Sequence, residues 1–167
     1  MKKAIIIVVC SVVGMLVSAT AIASKVNMPR EGNYEFDFCT VAQGKSMSVG
    51  EKYFVSGYHI VANVKTDPPG KPFDRSSARC YGTYMILNGK SQDLGICEVV
   101  DQDGDKWWME YHGNVEGNGG TYTAATGSGK YEGMSIKGEY HLEGWPTTAP
   151  DAAFQGCNHN KGTYKLK

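Results

Sequence analysis

The residue most suggestive of chemistry is Glu98, a lone carboxyl in an alternation that otherwise presents Leu94, Ile96 and Val100. A carboxylate on a buried strand face must be hydrogen-bonded or neutralised. Glu98 is therefore the candidate general acid or base, or the anchor of a bound ligand. A rim position, a bulge or a bond to a buried tyrosine would give it a purely structural role. The chain has 10 tyrosines. Tyr81, Tyr111, Tyr122 and Tyr140, with Trp107, are the candidate lining of an interior site, since such rings combine flat apolar surface with a polar handle. The same rings would equally fill a core.

Other constellations are weaker. Glu110-x-His112 and Glu139-x-His141-x-Glu143 put acid and imidazole on one strand face, and His59 and His159 complete the histidines. These read as exposed alternation, and no metal is expected. Asp101-x-Asp103-Gly104-Asp105 resembles the start of a calcium loop, but its glycine is fourth and position twelve is His112, so a polar hairpin turn explains it better. Gly127-Ser128-Gly129-Lys130 lacks phosphate-loop spacing, and there is no Gly-x-Ser-x-Gly. No cofactor is expected.

These residues need a scaffold, and the composition says which kind. At 167 residues, with 17 basic and 17 acidic groups, the chain suits one domain without a basic face for nucleic acid. The 21 glycines follow no triplet period, which favours turn-rich β structure over collagen. Met1-Lys2-Lys3, the apolar run Ala4–Leu16 and Ala21-Ile22-Ala23 read as a secretory signal over residues 1–23; an uncleaved anchor is the alternative. Cys10 lies too early for a lipoprotein site. Removing residues 1–23 takes away Lys2 and Lys3 and no acids, for a net charge of −2. The expected protein is exported, to periplasm or medium, as a domain over residues 24–167 with no membrane association after cleavage.

In an oxidising compartment Cys39, Cys80, Cys97 and Cys157 predict two disulfides. Alternation marks strands near Tyr34–Phe38, Val55–Lys65, Cys80–Leu87, Asp93–Asp101, Lys106–His112, Thr121–Thr126, Met134–Trp145 and Gly162–Leu166. Pro68-Pro69-Gly70, Asn88-Gly89, Asp103-Gly104 and Asn118-Gly119 separate them. About eight antiparallel strands in a meander hide their edges most economically by closing into a barrel; a β-sandwich is the alternative.

A two-residue turn at Asn88-Gly89 places Cys80 opposite Cys97 in a non-hydrogen-bonded pair, close enough for a disulfide. Cys39–Cys157 then joins the first strand to the last and seals the barrel. By loop entropy each bridge contributes about 3–5 kcal/mol. A two-residue turn at Asp103-Gly104 would pair Val100 with Trp107, Val99 with Trp108 and Glu98 with Met109. The face expected inside then carries Tyr81, Thr83, Met85, Leu87, Leu94, Ile96, Glu98, Val100, Trp107, Met109 and Tyr111. The outer face carries Cys80, Tyr84, Ile86, Asp93, Cys97, Val99 and Trp108, with Trp108, Tyr84 and Ile86 as an aromatic contact patch.

The segment Thr126-Gly127-Ser128-Gly129-Lys130-Tyr131-Glu132-Gly133-Met134-Ser135-Ile136-Lys137-Gly138-Glu139-Tyr140 resembles the glycine-rich segment of small barrels similar to allene oxide cyclase, within the calycin-like and dirigent-like group. The chain departs at Ser128, where threonine is usual, and at Ser135-Ile136, where a glycine is expected. The resemblance implies a barrel whose glycines allow a tight turn before a late strand. Its relatives include cyclases and isomerases of hydrophobic substrates, but the segment carries over no catalytic residue. Three functions follow: a barrel binding a small hydrophobic or amphipathic ligand inside, a cofactor-free isomerase or cyclase using Glu98, or an interaction protein using the outer patch.

Overall fold

A computed structural model describes residues 28–50, 52–114, 118–148 and 152–167. The expected signal segment lies outside the described residues. Eight strands follow one another: β1 Glu31–Val49, β2 Tyr53–Lys65, β3 Ser76–Leu87, β4 Lys90–Val100, β5 Lys106–Asn114, β6 Gly119–Gly127, β7 Ser135–Trp145 and β8 Ala152–Lys165. Each pairs antiparallel with its sequence neighbour, and β1 pairs with β8, so the sheet closes into the expected meander barrel. Closure gives every strand a partner on both sides.

Both disulfides form as the turns predict. Asn88 and Gly89 have φ of 53° and 79°, the two positive values a type I′ hairpin requires. Cys80 consequently pairs with Cys97, with Cα atoms 4.0 Å apart. Cys39–Cys157 bridges β1 and β8 at the closing seam. The first bridge lies inside the barrel, where Cys80 is fully buried. The second is partly exposed on the outer surface.

The next hairpin differs from expectation by one residue. Asp101 and Asp105 close a three-residue loop: Asp101 N–H donates to the Asp105 carbonyl at 3.0 Å, and Gly104 N–H donates to the Asp101 carbonyl at 3.1 Å. Gly104 takes φ of 85°, the left-handed residue of a turn followed by a bulge. Val99 therefore faces Trp107, Glu98 faces Trp108 and Val100 faces Lys106. That shift puts Trp107, Met109 and Tyr111 on the same side as Cys97 and Val99, all buried. The inward faces of β3 and β4 are thus the reverse of the expected ones. Tyr81, Leu87, Leu94 and Ile96 point outward and are exposed. The expected outer patch is also corrected, since Trp108 faces out while Tyr84 lines the interior.

The two ends of the barrel are unlike. At one end the β2–β3 connection folds inward, and Phe73, 2% exposed, packs at ring-centroid distances of 5.2 Å from Tyr34, 5.3 Å from Trp107 and 5.5 Å from Tyr164. Asp74 fixes this loop by accepting from Thr66 N–H at 3.0 Å and Gly70 N–H at 2.8 Å. The Val64–Ala78 region is therefore a plug anchored in the core. A 3-10 turn at Gly129–Tyr131 completes this closed end. Tyr131 donates to Asp101 Oδ2 at 3.0 Å, and Lys130 pairs with Asp101 at 2.5 Å and with Asp103 at 2.7 Å. One lysine of the chain thus pairs with two of the hairpin's three acids. Gly129 and Gly133, at φ of 60° and 69°, make the tight turn before β7 that the glycine-rich segment implied.

Candidate functional site

The half of the barrel nearer the Asn88-Gly89 hairpin is hollow. Its cavity measures about 400 Å³ and takes side chains from every strand. The walls are mainly apolar, with Phe38, Ala42, Ile60, Met109, Leu142 and Phe154 and the Cys80–Cys97 bridge among them. Such a volume accommodates a small organic molecule, and a mainly apolar wall with a few placed polar groups is typical of ligand sites.

One polar cluster stands on the β2–β4–β5 side. The Tyr58 hydroxyl donates to Asp93 Oδ1 and lies 2.9 Å from the Tyr111 hydroxyl. Glycines make this approach possible: a Cβ at Gly82 or Gly95 would collide with the Tyr111 hydroxyl. Burial pushes the Asp93 carboxyl above the usual carboxylate range, while the Tyr58 hydrogen bond pulls it back. Burial also raises Tyr111 to about 12. Tyr58 is raised by burial first, then by Tyr111 and Asp93. Tyr140, from β7, is raised by burial and by the nearby Asp93 charge. All three phenols are therefore neutral at physiological pH. Together they form a hydrogen-bonding surface around one acidic group.

A second polar cluster lies across the barrel on β1 and β8. Thr40 is 5% exposed, and its hydroxyl has no hydrogen-bond partner among the described residues. Asn158 Oδ1 is likewise unpartnered, while its backbone carbonyl accepts from Asn160 Nδ2 at 2.7 Å. All three residues line the cavity. Buried polar groups left open in this way are costly unless water or a ligand satisfies them.

The expected site residues divide. Tyr111, Tyr122 and Tyr140 line the cavity. Tyr122 also accepts a 2.8 Å hydrogen bond from Tyr34 at the boundary with the packed core. Trp107 is interior and fully buried, but it packs against the plug and does not line the cavity. Tyr81 is outside and 60% exposed, its ring beside His59. Glu98 is outside as well, paired with Arg79 at 3.1 Å and Lys106 at 3.4 Å. The placement of both inside is corrected, because the reversed β3–β4 faces turn them outward. Among the described residues, the carboxyl on the cavity wall is Asp93.

Sequence reasoning missed Asp93, Tyr58, Tyr84, Thr40 and Asn158 as lining residues. A usable signal was present in the shared face of Asp93 and the cysteine pair, since a strand disulfide at full burial fixes which side is inside. On the outer wall His159 sits between Glu35 at 2.8 Å and Asp37 at 3.0 Å, hydrogen bonds that raise its pKa, Asp37 contributing most. Among the described residues no group of three or more His, Cys, Asp or Glu side chains is arranged to hold a metal. No protein-family model matches the chain, and no curated protein matches it in sequence.

Proposed function

We propose that this protein binds a small hydrophobic or amphipathic molecule inside its barrel. The observation that carries the reading is the hollow half of about 400 Å³, apolar over most of its wall and bearing polar groups on two opposed sides. A barrel built only for stability would fill that space, as this one does at its plugged end. Export to periplasm or medium belongs to the same proposal, supported by the apolar segment before Ala21-Ile22-Ala23 and by two disulfides. Kinship with allene oxide cyclase-like barrels is also proposed, on the resemblance of residues 126–140.

A second reading, a cofactor-free isomerase or cyclase, is favoured by one specific observation. Asp93 and Tyr58 form a hydrogen-bonded acid–phenol pair facing the cavity, with burial raising the carboxyl above its ordinary value. Asp93 replaces Glu98 in that role. The interaction reading moves from the Trp108 patch to the exposed strip of Val61, Tyr81, Leu94 and Ile96.

Titration with the neutral dye N-phenyl-1-naphthylamine tests interior binding. Ala42 lines the cavity and is 6% exposed, so Ala42→Phe fills space without changing charge. Saturable dye binding that weakens at least tenfold in Ala42→Phe is expected. Equal binding by the two proteins would place the dye elsewhere and overturn the reading.

A further inference from the structure

The charge inventory of the cavity narrows the ligand, given the interior-binding reading above. Among the described residues, Asp93 is the one carboxyl on its wall, and no lysine, arginine or histidine lines it. Tyr58 donates to Asp93 Oδ1. The groups facing Asp93 from neighbouring elements are Tyr58 on β2, Tyr84 on β3, Tyr111 on β5 and Tyr140 on β7. None of them supplies a positive charge.

A buried carboxylate is stable when a cation or several hydrogen bonds compensate it. Asp93 is half-buried, with a phenolic donor at Oδ1 and cavity space beside it. An anionic ligand would meet a like charge in a low-dielectric site, and a neutral ligand would leave the charge uncompensated. An ammonium group would compensate it, and the surrounding electron-rich rings would add cation–π attraction. On the opposite wall, the unpartnered Thr40 hydroxyl and Asn158 carbonyl oxygen independently mark a place for the ligand's other end.

We propose that the cavity takes a small organic ammonium ion with an apolar body. Its nitrogen sits at Asp93 among the four tyrosines, and its body runs along Phe38, Ile60 and Met109 towards Thr40 and Asn158. Binding then depends on pH in a defined direction. Protonating Asp93 removes the counter-charge, so affinity falls as the solution is acidified; deprotonating the amine removes the cation, so affinity falls again in strong base. The neighbouring tyrosines stay neutral between these limits.

The test compares three probes of one carbon skeleton, 4-phenylbutylamine, 4-phenylbutan-1-ol and 4-phenylbutyrate, by displacement of N-phenyl-1-naphthylamine. The amine is expected to bind at least tenfold more tightly than the alcohol, with the carboxylate weakest. Asp93→Asn should cost the amine at least tenfold and leave the alcohol within about twofold. In the unmodified protein, acidification should weaken the amine and not the alcohol, a readout that needs no variant to fold. An alcohol that binds as tightly as the amine, or an amine indifferent to both Asp93→Asn and acid, would overturn the ammonium proposal and leave interior binding standing. Failure of the dye and all three probes to bind would overturn both.

Discussion

Replacing Phe73 by alanine tests whether the β2–β3 connection is a structural plug. Phe73 is 2% exposed and meets five rings, those of Tyr34, Trp107, Tyr164, Phe36 and Tyr131, at centroid distances from 5.2 to 6.0 Å. Truncating a buried phenylalanine costs about 3–5 kcal/mol when the surroundings cannot collapse. Collapse is resisted here because four of the five neighbours belong to strands fixed around a closed barrel. The backbone supplies a sharper diagnostic. Phe73 has φ of 70°, where a side chain costs roughly 1–2 kcal/mol and glycine nothing. Glycine also gives back about 0.4–1 kcal/mol through unfolded-chain entropy. Phe73→Gly should therefore equal Phe73→Ala or exceed it in stability by up to about 1.6 kcal/mol, the reverse of the order at an ordinary strand position. Urea unfolding with the disulfides intact measures both variants. A loss under about 1 kcal/mol for Phe73→Ala, or a glycine variant clearly less stable than the alanine variant, would refute the plug geometry.

Three further perturbations separate the two surfaces of the barrel. Burial raises Asp93 in the folded state, so its stabilising proton is present below the unfolded carboxyl range and lost as pH rises through the raised value. Asp93→Asn should thus melt higher than the unmodified protein at pH 8, with the difference shrinking towards pH 4; thermal melts at both values check this. Glu98→Gln should change stability by no more than about 1 kcal/mol and leave dye binding intact, because its partners are partly exposed outer cations. Loss of dye binding in that variant would show that Glu98 contributes to the site after all. Under limited reduction and alkylation, Cys39 and Cys157 should be labelled before the buried Cys80 and Cys97; peptide mapping reads the order.

The sequence was informative wherever local chemistry sets geometry. Asn88-Gly89 determines a hairpin register, and that register alone pairs Cys80 with Cys97. It was misleading where the barrel is hollow. Hydrophobic alternation identifies the inner face only when the inside is packed. On β4 the inward positions near the cavity are Asp93 and Gly95, while Leu94 and Ile96 are exposed. The pattern there is inverted, and it drew Glu98 inside by association. The same effect hid the length of β1 and β8, whose cavity-facing residues include Thr40, Asn158 and Asn160. The remaining error came from one residue of loop: Asp-Gly closes two-residue hairpins, but it also ends three-residue loops with glycine in the left-handed position. Phe73 gave no signal, because it lies in an irregular proline-rich connection where periodicity does not apply.

Native mass spectrometry of the protein purified directly from the cells that make it or from their medium, followed by denaturing analysis, tests interior binding most directly. The expected result is a discrete excess mass that survives gentle ionisation and disappears on denaturation, on a polypeptide with Cys39, Cys80, Cys97 and Cys157 oxidised. A bare polypeptide mass, together with no uptake of N-phenyl-1-naphthylamine by the same preparation, would contradict it.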